Sequence, residues 1–219
     1  MAFLNRAAIA ALAVIALCFP SLAFDQRRAG DFDFYVLSLS WSPSFCAEEG
    51  DDANSQQCST NRPYGFIVHG LWPQYEHGYP RECYTSQRRV PDWIVNAMRD
   101  IMPSGSLVGH EWRMHGSCSG LSQRDYFGAV RTAYGNLSIP EQFQNVRQDD
   151  QEGAQDIERA FMSANPGLPE DGISVACGKN LLREVRICMT RDLKFRTCGE
   201  LERTACRANN LQVPRPGGN

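Results

Sequence analysis

The sequence predicts a single α+β domain, with a central, mainly antiparallel sheet flanked by helices and tied by four disulfides. Three observations carry that class. Strand-like segments stand early and late in the chain with helical spacing between them, and the late pair reads as a hairpin. No repeat, low-complexity run or Pro/Ser linker divides the 219 residues, a length that supports one sizeable core. Of nine cysteines, Cys18 falls in an N-terminal leader; the remaining eight, an even number, read as a disulfide framework in an oxidising compartment.

The leader comes first. Met1–Arg6 is short and basic, Ala7–Phe19 is an apolar run, and Ser21-Leu22-Ala23 has the small-residue form of a cleavage site. The run is too short to span a bilayer, which takes about 20 residues. Residues 1–23 are therefore expected to be a cleaved signal peptide, placing the mature chain in the periplasm or outside the cell. Lipid attachment at Cys18 is the minor alternative, because Leu17 stands where such a site wants a small residue. No later segment has the length and apolarity of a membrane span.

Phe32–Leu39 is rich in aromatic and branched residues and reads as a strand. Tyr64–Leu71 reads as a second, with Gly65 and Gly70 permitting close backbone approach. Pro91 opens a helix that puts Trp93, Ala97 and Ile101 on one face, and Pro103 ends it. Further helices are expected over His110–Cys118, from Ser122 to Ala133, and over Gln151–Ala164 before the Asn165-Pro166-Gly167 turn. Ile173–Cys177 and Leu182–Met189 form the late hairpin. The domain is expected over 24–212, with the Pro/Gly-rich tail 213–219 frayed.

Charge and cysteine spacing exclude some functions. The formal charge is −3, and removal of Arg6 with the leader leaves 21 basic against 25 acidic residues. That is no footprint for tight, sequence-independent nucleic-acid binding, although a cleft needs only local positive charge. A zinc site would need closely spaced cysteine pairs such as C-x-x-C, and there are none. Neither metal nor cofactor is expected.

The chemistry concentrates in two segments, Gly65–Gln74 and His110–Cys118. They hold three of the four histidines, His69, His110 and His115, together with Glu111. Histidine titrates near neutrality and both gives and takes protons. If His110–His115 is helical, each residue advances by about 100°. Glu111 and His115 then stack at i, i+4, where the carboxylate would orient the ring and raise its pKa. A zinc protease needs H-E-x-x-H, whereas the spacing here leaves the two rings roughly 140° apart. Two histidines flanking a phosphate, one taking and one giving a proton, suit in-line cleavage of RNA with the ribose 2′-hydroxyl as nucleophile and no metal.

Phe66-Ile-Val-His-Gly-Leu-Trp-Pro73 and His110-Glu-Trp-Arg-Met-His-Gly-Ser-Cys118 closely resemble the two active-site segments of the ribonuclease T2 family, secreted acid ribonucleases of the transferase type with little base preference. Trp41-Ser-Pro-Ser-Phe-Cys46 resembles that family's amino-terminal signature, so the resemblance runs from Phe32 to about Cys206. It implies His115 as the general base on the 2′-hydroxyl and His69 as the general acid at the 5′-oxygen. It further implies His110 on the phosphate, Glu111 supporting the charged transition state, and Trp72 stacking on a base. The fourth histidine, His77, matches no catalytic position and is expected on the surface. The resemblance implies the disulfide Cys83–Cys118; Cys46–Cys58, Cys177–Cys206 and the nested Cys188–Cys198 are then the simplest remaining pairs, the last closing the late hairpin. The implied partner is RNA, acted on by a monomer.

One position departs from the family. Met114 stands where a lysine usually would, and methionine cannot stabilise charge on a pentavalent phosphorane. Arg113 is adjacent but about 100° around the helix. Slower catalysis, compensation by another arginine and loss of activity stay open. The competing reading is a secreted, catalytically weakened module on the same scaffold that binds RNA or a protein.

Overall fold

The computed structural model describes residues 28–49, 55–58 and 63–217, so the expected leader lies outside it. Strand β1 (Phe34–Trp41) starts two residues later than the aromatic-rich segment suggests. Alternation sorts its side chains: Tyr35, Leu37, Leu39 and Trp41 enter the main core. Phe34 and Val36 join a smaller apolar cluster with Cys188 and Cys198 on the opposite face. The chain turns directly into α1 (Ser42–Glu49), which the Cys46–Cys58 disulfide ties to α2 (Ser55–Cys58).

Strand β2 (Phe66–Gln74) pairs antiparallel with β1. The register passes from Ser38 opposite Gly70 to Leu39 opposite Val68, which leaves His69 as the extra residue of a β-bulge. A bulge re-aims one side chain without flipping the strand's faces. Phe66, Val68 and Leu71 stay in the core while His69 turns to the other side.

Four helices follow in chain order: α3 (Asp92–Met98), α4 (Gly105–Met114), α5 (Gln123–Gly135) and α6 (Ala154–Ala164), with β3 (Asp150–Glu152) just before α6. The buried face of α3 carries Ile94 and Met98, not the expected Trp93 and Ala97; Trp93 is 60% exposed. The aliphatic stripe continues to Ile101 and Met102, and it decides the helix's rotation over its single large aromatic.

The second motif departs from one continuous helix. α4 begins at Gly105, where the Ser104 side chain accepts from the Leu107 amide, and it ends at Met114. His115 has φ −125° and ψ −53°, and Gly116–Cys118 forms a 3-10 turn. Gly116 permits this break, since a Cβ there would lie 2.7 Å from both Trp112 and Tyr126.

Strands β4 (Ile173–Gly178) and β5 (Leu181–Met189) form the expected hairpin. α7 (Gly199–Arg203) and β6 (Leu211–Val213) complete the chain. The six strands described run β2-β1-β5-β6-β3 with β4 also on β5, and only the β5–β6 pairing is parallel. The chain is ordered further than its Pro/Gly content suggests. Val213 is buried and pairs with Asp150, and the Pro214 carbonyl accepts from the Trp41 indole at 3.0 Å.

Trp41, Phe66, Phe143 and Phe161 interlock at the centre of the core, with edge contacts such as 4.8 Å between the Trp41 and Phe66 rings. Each such side chain stabilises the fold by about 1.5–3 kcal/mol through burial. The disulfides are Cys46–Cys58, Cys83–Cys118, Cys177–Cys206 and Cys188–Cys198, the number expected. Among the described residues no helix is long and apolar enough to cross a membrane.

Candidate active site

The site forms where the outer face of the sheet meets the end of α4. β2 contributes His69 and Trp72, α4 contributes His110 and Glu111, and the break after Met114 contributes His115. The Cys83–Cys118 bond anchors that break to the chain leaving β2. Tyr126 of α5 reinforces the junction by donating its hydroxyl to the Leu71 carbonyl at 2.9 Å. At the closest approach of α4 and β2 stands Gly70. A Cβ there would lie 2.0 Å from Glu111 Oε2 and 2.3 Å from Trp72 Nε1, so only glycine fits.

Glu111 is almost fully buried, and its partners are on β2. Trp72 Nε1 donates to Glu111 Oε2 at 2.7 Å, and His69 Nε2 lies 3.6 Å from Glu111 Oε1. The expected stack of Glu111 on His115 therefore does not form, because the backbone leaves the helix at His115. The His115 ring instead lies 5.2 Å from the Trp72 ring, tilted by 32°. The His69 ring meets the same indole edge-on at 5.3 Å.

The two histidines shift in opposite directions, and Glu111 shifts upward. Burial opposes charge on His69, but the hydrogen bond and charge of Glu184, with the charge of Glu111, outweigh it and raise its pKa above the ordinary 6.5. Among the described residues His115 has no carboxylate partner. Burial, helped by repulsion from His69 and His110, brings it down to about 3, and its Nδ1 is buried without a hydrogen-bond partner. The sequence reading expected the opposite shift. Burial pushes Glu111 up to about 7. Below that pH it is a neutral acid with an O–H to donate.

His110 is exposed on the neighbouring turn, its pKa lowered by burial of part of the ring and by the charge of Arg113. With His69, Arg113, Ile67, Ser104 and Leu107 it lines a cleft of about 480 Å³. Arg113 folds back along α4, its Nη1 being 3.1 Å from where a Cβ on Gly109 would stand. Trp72 has its N–H committed to Glu111 and the Arg186 guanidinium 5.5 Å from its ring centre. His77 is on the surface.

Two site residues escaped sequence reasoning. Glu184 Oε1 lies 2.6 Å from His69 Nδ1, and Arg186 donates from Nε and Nη2 to Glu184 Oε2 at 2.9 and 2.6 Å. Burial works to raise the Glu184 pKa, but His69 and Arg186 overcome it and bring it down to about 2. In the sequence these residues look like the solvated face of an amphipathic strand. Their only signal is that both belong to the face of β5 opposite the core.

Comparison with known proteins agrees with the geometry. The chain is 43% identical over 113 residues to a ribonuclease of Aeromonas hydrophila, covering 52% of this chain and 50% of that protein. It is 34% identical over 129 residues to a probable ribonuclease of Haemophilus influenzae, covering 53% and 47%. The chain thus spans about half the length of these two bacterial relatives. Among solved structures, RNase NT in complex with 5′-AMP superposes with a TM-score of 0.59 at 25% identity, over 85% of this chain and 98% of that one. The profile of the Ribonuclease T2 family matches residues 32–198, nearly all of the described fold, and the chain belongs to that family.

Proposed function

We propose that this protein is an endoribonuclease that cleaves single-stranded RNA with little base preference, by 2′-hydroxyl transesterification and without a metal ion. The observation that carries the reading is the opposed protonation of two histidines around one indole. His69 favours its proton, whereas His115 is neutral and has an acceptor nitrogen. Environments that push two titratable groups apart in this way assign the acid and the base. The names of its ribonuclease relatives support the same activity.

In this mechanism His115 takes the proton of the 2′-hydroxyl, and the 2′-oxygen attacks phosphorus. His69 gives its proton to the 5′-oxygen as the P–O5′ bond breaks, leaving a 2′,3′-cyclic phosphate. Water then opens the cycle with the two roles reversed. A bound phosphodiester adds negative charge beside His115 and counteracts the burial and the repulsion that lower its pKa in the free site. Glu111, neutral at acidic pH, donates its O–H to a non-bridging oxygen as charge develops there. Exposed His110 and Arg113 hold the phosphate from the cleft side. Trp72 braces Glu111, a role its committed N–H supports over the base-stacking role implied by resemblance.

Export into an oxidising compartment, periplasmic or extracellular, follows from eight cysteines that all pair. The test is release of acid-soluble nucleotides from yeast RNA at acidic to neutral pH in the presence of EDTA, with the products identified. Cyclic phosphates are expected. Products bearing 5′-phosphates, or DNA cleaved at a comparable rate, overturn the mechanism. A folded protein that cleaves nothing supports the binding module instead.

A further inference from the structure

Glu184 and Arg186 are charged side chains on a strand, which ordinarily face water. Glu184 does not: its side chain is only 12% exposed, and both its oxygens are committed. Arg186 holds Oε2 through two nitrogens, so Oε1 is presented to His69 in a fixed direction. The pair is on β5, and β1 lies between it and His69 on β2.

The intervening strand makes room for the contact. On this face β1 carries Ser40 opposite Glu184, and Ser38 opposite both Arg186 and Gly70. Further along the same face, Phe34 and Val36 are bulky and pack on the Cys188–Cys198 disulfide. Small side chains thus occur on β1 where the His69–Glu184 contact crosses it, and the bulge at His69 turns the ring toward them.

We infer that Glu184, held by Arg186, is the positioning residue of His69: it accepts the Nδ1 hydrogen and so leaves Nε2 to deliver the proton to the leaving group. The inference rests on the reading of His69 as the general acid. Nε2 is the nitrogen nearer Glu111, at 3.6 Å, so the ring is aimed into the site. The same contact keeps the ring charged to higher pH. The groups facing His69 are Glu184 and Arg186 from β5, and His110, Glu111, Arg113 and His115 from α4 and its end. The first-named carboxylate is the closest of the negative ones.

Two substrates separate positioning from scaffold. A dinucleoside monophosphate needs its leaving oxygen protonated, whereas a uridine 3′-(4-nitrophenyl phosphate) has a leaving group that departs as the anion. Glu184→Gln keeps an acceptor but loses the charge. It is expected to move the alkaline limb of kcat/KM for the dinucleotide down by about one pH unit or more. At neutral pH the dinucleotide should lose about tenfold or more in kcat, while the nitrophenyl ester changes little. An unmoved limb, or equal losses on both substrates, overturns the inference. His69→Ala on the same two substrates tests the parent reading: equal losses there sink the acid assignment itself, whereas a selective loss there with none in Glu184→Gln sinks only the role of Glu184. If Glu184→Gln does not fold, nitrogen NMR of unmodified protein decides. Nδ1 of His69 protonated, with titration above the ordinary histidine range, supports the inference; an unprotonated Nδ1 or titration below that range refutes it.

Discussion

His69 and His115 stand about equally far from the Trp72 ring, at 5.3 and 5.2 Å, yet their pKa values move in opposite directions from the ordinary histidine value. His69 is half-buried beside two carboxylates, whereas His115 is half-buried against the Trp72 ring and is repelled by the charges of His69 and His110. Burial alone always disfavours the charged ring. What differs is whether a counter-charge is built in. One fold therefore makes an acid and a base from the same residue type, and the contrast resides in Glu184 and Glu111 more than in the histidines.

Removing either histidine breaks the comparison outright. His69→Ala and His115→Ala should each lower kcat on RNA by about 10²-fold or more, as expected of positioned acid and base groups. Before mutation, the pH profile of kcat/KM should already show both groups. Activity should fall below a limb near 3 as His115 gains a proton, and again on the alkaline side, where His69 loses its proton above 6.5 and Glu111 loses its own near about 7. A single limb, or a maximum at strongly alkaline pH, contradicts the assignment.

Gly70→Ala attacks the shared neighbour, Glu111, and leaves both histidines in the sequence. The added methyl would overlap Glu111 Oε2 and Trp72 Nε1, so their hydrogen bond must break. Activity should drop by about tenfold or more, since each ~1.4 kcal/mol lost from the transition state is a factor of ten. A variant that is folded and fully active would show that the Glu111–Trp72 contact is dispensable.

Positive charge on the α4 side sharpens the comparison further. Arg113 folds back along the helix to the cleft that His69 and His110 line, where it can replace the lysine missing at Met114. Arg113→Ala should then cost about tenfold in kcat/KM, and Met114→Lys should gain little. The reverse pattern, a large gain from Met114→Lys with Arg113→Ala silent, would mean that the cleft arginine does not reach the phosphorane.

The smallest effect is expected at Trp72→Phe. It removes the hydrogen bond that counteracts burial of Glu111, so the Glu111 pKa should rise further above about 7. Stability should fall by about 1–3 kcal/mol, because a buried acceptor loses its donor. Calorimetry and carboxyl NMR titration measure the two changes, and an unshifted Glu111 would remove Trp72 from the electrostatics.

Both histidine motifs are visible in sequence because each combines rare residues at short range. The second motif also shows where local periodicity misleads. Read as a continuous helix, Glu111 and His115 stack; with the chain broken at His115, Glu111 faces β2 instead. The break depends on Gly116 packed under Trp112 and Tyr126, a contact between α4 and α5 that no local pattern reports. Trp93 is a similar case, since burial of the α3 stripe is set by the neighbouring helices.

By itself the sequence determined the α+β class, the two histidine motifs and the family. Those properties rest on short-range periodicity and on side-chain types, which any linear reading retains. The tertiary structure alone decided which nitrogen of His69 meets Glu184, that His115 is the neutral ring, and that Arg186 locks the carboxylate across the sheet. These depend on strand order and on a one-residue bulge, and electrostatic shifts grow with burial and with distances of a few ångströms. Residues 69 and 184 are separated by 115 positions in the chain but by 2.6 Å in space.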